Sequence, residues 1–146
     1  MIGGEMDTSG LDRVIRRLER MDSRATRAAH NAAETGLIYL QSRVPTYSSI
    51  PRRAGQTYRR TGLLGRSITS MAGGGPQALS RVRSLGGRVV GIWGSAVRYA
   101  KYVIGEKDQA WMHLGRWYTL QGLIRKNRSE LVRHMAKRLF EDLLRE

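Results

Sequence analysis

The chain has 146 residues, enough for one domain with a modest hydrophobic core. Hydrophobic residues make up 40% and charged residues 26%, an ordinary balance for a globular protein and not that of a disordered one. Cysteine is absent, which excludes disulfides and thiolate metal sites. No run of eighteen apolar residues suggests a transmembrane helix, and Met1 to Gly10 lacks the basic-then-apolar order of a secretory signal.

Charge is far from balanced: 26 Lys and Arg against 12 Asp and Glu give a net charge of +14. Most of the excess is arginine, whose planar fork suits bidentate contacts to carboxylate or phosphate. Between Glu34 and Glu106 there is no acidic residue. A stretch of one sign repels itself unless an anionic partner lies against it, either nucleic acid or an acidic protein surface.

In chain order, apolar residues from Leu11 to Leu40 recur at three- and four-residue spacing and predict one long amphipathic helix over 9–43. Its apolar face narrows to Ala28, Ala29, Ala32 and Gly36, small residues expected to pack tightly on a sheet. Val44-Pro45 stops the pattern, because a residue before proline avoids the helical region. Residues 44–62 then read as a long basic loop with Arg52, Arg53, Arg59 and Arg60. Strands are expected over 63–71, 78–84, 88–94 and 99–103, with Gly86-Gly87 as the turn of a hairpin. One face of this antiparallel sheet would meet the long helix and the other would carry arginines. Residues 105–122 form an aromatic connection with Trp111, Trp117 and Tyr118, and 123–145 predict a C-terminal amphipathic helix. The expected fold is therefore α+β in a single domain, two helices packed on a small antiparallel sheet.

No arrangement of residues points to chemistry. His30, His113 and His134 have no ligand spacing, and no phosphate loop, zinc-binding or nucleophile-elbow motif occurs. Glu106 and Asp108 flank Lys107 in a turn-like stretch and read as solvated. The expectation is a protein without catalysis or cofactor, one that docks onto others.

Two segments carry that expectation: Tyr58-Arg59-Arg60-Thr61-Gly62-Leu63-Leu64-Gly65-Arg66-Ser67, and Val90-Gly91 through Gly94-Ser95 followed by Tyr99-Ala100-Lys101-Tyr102-Val103. Their order between a long helix and a terminal helix resembles the HK97 gp10-like family of tailed-bacteriophage neck and tail-completion proteins. Gln109-Ala110-Trp111-Met112-His113 with Arg116-Trp117 is similar to a subgroup of such proteins. The basic loop is longer than the short link usual in that family. The resemblance implies a structural virion protein, made in the host cytoplasm and built into a ring, a hexamer, between head connector and tail tube. It implies partners in neighbouring neck and tail proteins, with packaged DNA as a further candidate and no membrane. The candidate interface residues are Arg52, Arg53, Tyr58, Arg59, Arg60, Thr61, Gly62, Arg66, Tyr99, Lys101, Tyr102, Trp111, Arg116 and Trp117. Arg81, Arg83, Arg88 and Arg98 form a candidate DNA-facing set. The alternative reading is a basic nucleic-acid-binding protein, in which arginines contact phosphates and aromatics stack on bases.

Overall fold

The structure, a computed structural model, describes residues 9–45, 63–69, 77–85 and 87–145; in the first helix it describes the side chains of Arg16, Glu19 and those from Met21 onward. Helix α1 spans Ser9–Ser42. It ends in a tightened turn in which Arg43 N–H and Val44 N–H donate to the Leu40 and Gln41 carbonyls, just ahead of Pro45.

The C-terminal stretch forms two helices, α4 (Leu120–Lys126) and α5 (Arg128–Leu144). Thr119 caps α4 by accepting the Gly122 N–H at 3.0 Å. The single helix expected over 123–145 thus starts earlier and breaks at Asn127, whose side chain donates to the Leu123 carbonyl at 2.8 Å and so competes with a continuous helical ladder.

Helices α1 and α5 run antiparallel. Arg24 donates to the Leu143 carbonyl at 3.1 Å, Asn31 donates to Asp142 at 2.8 Å, and Tyr39 stacks on His134 with ring centroids 4.6 Å apart. At Gly36 the small-residue stretch of α1 faces α5 and not the sheet. A Cβ on Gly36 would lie 2.9 Å from Cγ and Sδ of Met135, so the missing side chain is what lets the two helices close. The sheet was the expected partner for this stretch; it meets the next turn instead, where Leu37 lies under Gly91 and Gln41 donates to Ser80.

The sheet is a two-stranded antiparallel hairpin, β1 (Ala78–Leu85) and β2 (Arg88–Ser95), with Leu85 opposite Arg88 and Ala78 opposite Ser95. Gly87 takes φ +77° in the turn, a conformation that glycine adopts freely. Cross-strand pairing places Ser80, Val82, Gly91 and Trp93 on the face toward the helices and Arg81, Arg83, Arg88, Val90 and Ile92 on the other. One face meets helix and the other carries arginines, as the alternation implied.

Two expected strands are helices. Over 63–71 the chain forms α2 (Leu63–Thr69), and near 99–103 it forms α3 (Ala100–Ile104). In α2 the buried residues are Leu64, Ser67 and Ile68, a spacing of three and four that only a helix puts on one side. Val97, Ala100 and Ile104 repeat that spacing into α3. These residues meet: Leu64, Ile68, Val97, Ala100 and Ile104 form one buried cluster, flanked by Val44, Trp93 and Tyr118. Trp93 Nε1 donates to the Ile68 carbonyl at 3.0 Å, and Ser67 and Ser95 share a hydrogen bond of 2.6 Å, which pins α2 to β2. The α+β class holds, with long N- and C-terminal helices and a small antiparallel sheet.

Candidate interaction surfaces

Three surfaces follow from this packing. The first is the connection after α3. Gln109 fixes it by donating to the Val103 carbonyl at 2.7 Å and the Trp117 carbonyl at 3.2 Å, while Ala110 N–H donates to the Tyr102 carbonyl. With its backbone held inward, the loop turns Trp111, Met112 and Leu114 out. Trp111 opens a short 3-10 turn, Trp111–His113, and is 76% exposed. Tyr102, Met112 and Leu114 are exposed near it in sequence and backbone pairing, and Lys101 Nζ lies 4.8 Å from the Tyr102 ring centroid. His113 packs edge-on to Trp117 at 5.9 Å. Its partial burial, and then the adjacent Arg116 charge, lower its pKa below the ordinary imidazole value, since both disfavour the imidazolium. Glu106 pairs with Arg125, tying the start of the loop to α4.

The second surface is the far end of α5. Leu131 and Met135 face α1 at Gly36, whereas Val132, Phe140 and Leu144 are exposed, Leu144 at 78%. Residues 132, 140 and 144 repeat at multiples of four and form a second apolar stripe on α5. Beside it, α1 continues as helix past Arg24, where α5 ends, for 15 more residues. That is about 22 Å of helix. The side chains described there, Arg16, Glu19 and Met21 to Ser23, are exposed.

The third surface is the outer face of the hairpin. Arg81, Arg83 and Arg88 are exposed on it and make no ion pair among the described residues. The paired arginines and lysine are elsewhere: Arg125, Arg133, Lys137 and Arg138, all after Glu106, where the acids resume.

The other candidate residues are dispersed. Arg52, Arg53, Tyr58, Arg59, Arg60, Thr61 and Gly62 lie outside the described residues. Arg66 is exposed on α2. Tyr99 and Tyr102 do not project together. Tyr99 is half-buried against the Ile68–Ile104 cluster because α3 begins there, and only Tyr102 stands out. Trp117 is half-buried while Arg116 is exposed. Arg98 sits in the turn beyond β2, apart from the three hairpin arginines. Sequence reasoning missed the stripe on α5, although Phe140 and Leu144 fall off the face that carries Leu131, Met135 and Leu139.

Among the described residues no helix is long and apolar enough to cross a membrane, and no group of three His, Asp or Glu could hold a metal ion. No family model, curated protein or solved structure matches the chain.

Proposed function

We propose that the protein is a structural component of a tailed-bacteriophage virion, a ring-forming neck or tail-completion subunit of tail-terminator type that joins head connector to tail. The resemblance in motif order suggests the setting. The observation that carries the reading is the pair of unlike apolar patches left uncovered among the described residues. One is the set of exposed side chains Tyr102, Trp111, Met112 and Leu114 on and after α3, whose Ala100 and Ile104 belong to the cluster that Val44 flanks at one end of α1; the other is Val132, Phe140 and Leu144 near Arg24. Arg24 and Ser42 are 18 residues apart on α1, or about 27 Å along its axis. A monomer rarely exposes such patches without use. Two different surfaces on one subunit make a heterologous, head-to-tail contact, which closes into a ring when the rotation between neighbours allows it. The occupant of each patch is thus a second copy of the chain.

Light scattering after size exclusion tests this at low and high salt. The expected result is one closed oligomer, six copies of the 16.5 kDa chain, whose mass persists in high salt because apolar contacts hold it. Trp111→Ala with Phe140→Ala should return it to monomer. A wild-type monomer at every concentration and salt would sink the self-assembly reading.

A further inference from the structure

We propose that the outer face of the β1–β2 hairpin binds the phosphate backbone of a nucleic acid and reads no bases. The register puts Arg81 and Arg83 on one strand two residues apart, and Arg88 on the other strand opposite Leu85, the next outward position. Outward positions advance by about 7 Å along a strand, a step comparable with the separation of successive phosphates on a nucleic-acid strand. All three arginines are exposed.

Among the described residues no carboxylate pairs with these three arginines. The described arginines that pair with carboxylates do so on α4 and α5. In the sequence no acid occurs between residues 34 and 106, a span that includes both strands of the hairpin. An uncompensated ribbon of one sign draws a polyanion with its condensed counterions, and release of those ions drives binding.

The side chains between the arginines decide what is read. Leu85, Val90 and Ile92 share the face, with no Asn, Gln, Asp, Glu or aromatic among them. Groups that pair with base edges are missing apart from arginine itself, and so are rings on which unpaired bases stack. A two-stranded ribbon is also a shape that the major groove of a duplex admits. Three like charges at a regular step, without polar side chains between them, match a repeating phosphate chain better than an irregular acidic protein surface. In a neck ring the nucleic acid would be the DNA passing through it. Yet binding at this face does not require the ring.

Fluorescence anisotropy of a labelled random-sequence DNA duplex tests it, with the full chain titrated from about 50 to 200 mM salt. Wild type should bind with steep salt dependence and equally to a second duplex of different sequence. Arg81→Gln, Arg83→Gln and Arg88→Gln combined should lower the slope of log K against log salt by about 2 to 3, since each phosphate left without its arginine removes about 0.9. Lys107→Gln, Lys126→Gln and Arg128→Gln combined remove the same charge elsewhere and should leave the slope within about one unit of wild type. Circular dichroism melts of both variants confirm that they fold. Equal losses in the two variants, an unchanged slope in the hairpin variant, or no binding by wild type would overturn the proposal. So would tighter binding of polyglutamate through the same arginines, which would assign the face to an acidic protein. Light scattering on the same samples reads the oligomer separately, so either idea can fail alone.

Discussion

Gly105 and His113 show how single residues hold the exposed aromatic loop in place. Gly105 N–H donates to the Lys101 carbonyl and closes α3, and a Cβ at this position would collide with that same carbonyl oxygen. The obstacle is backbone and cannot swing aside. Gly105→Ala should therefore destabilise the protein by about 1–3 kcal/mol, visible as a lower midpoint in thermal unfolding. His113 provides a pH test. Its pKa is lowered in the fold, so the unfolded chain binds the proton more tightly. The stability contributed by neutral His113 is complete above its ordinary value near 6.5 and declines as pH falls below it toward the folded-state value. His113→Phe keeps a ring against Trp117 and removes the titration. Its melting temperature should drop less than that of wild type between about pH 7 and pH 5. Parallel curves would show that the burial of this imidazole does not couple to folding.

Among the elements, the pairing of α1 with α5 depends on small residues more than on charge. The pairs Arg138–Asp142 at 3.2 Å and Lys137–Glu141 at 3.9 Å lie within α5 and do not cross to α1, and an exposed pair such as Lys137–Glu141 contributes only about 0.3–0.5 kcal/mol. The close approach at Gly36 brings Met135 and Leu131 onto α1. Gly36→Val would force Met135 outward, and a loss of about 1–3 kcal/mol is expected in denaturant unfolding. Midpoints that agree within about 0.5 kcal/mol would mean that the helices meet loosely there. The elements also show why some of the fold could be read in advance. Alternation in Arg81-Val82-Arg83 and Arg88-Val89-Val90 around Gly86-Gly87 is local, and it gave both the hairpin and its two faces. Over 63–71 and 99–103 short apolar runs suit either a strand or a helix. The choice fell to the shared core of Ile68, Ala100 and Ile104, which accepts residues three and four apart.

At the scale of the whole molecule, assembly and charge separate. In the proposed ring, contacts made by Trp111 and Phe140 would be apolar and should survive salt, whereas any contact made by the hairpin arginines should weaken with it. The basic segment 52–60, read as part of a loop from the sequence alone, is assigned to assembly in the proposed ring. Arg59→Ala with Arg60→Ala should leave the melting temperature within about 2–4 °C of wild type and lower the oligomeric fraction in light scattering at low salt. An unchanged oligomeric fraction would remove this segment from the interface.

The sequence by itself determined the periodic and the compositional features: the long α1, the hairpin with its arginine face, an acid-free middle, and a helical C-terminus. Each depends on neighbours within a few residues or on counting charges. The tertiary structure alone decided that α2 and α3 are helices, that Gly36 serves α5, that Tyr99 packs inward while Tyr102 and Trp111 stand out, and that α5 carries a second apolar stripe. Those outcomes depend on which distant surface each residue meets, and free energy of burial goes to whichever conformation fits that surface.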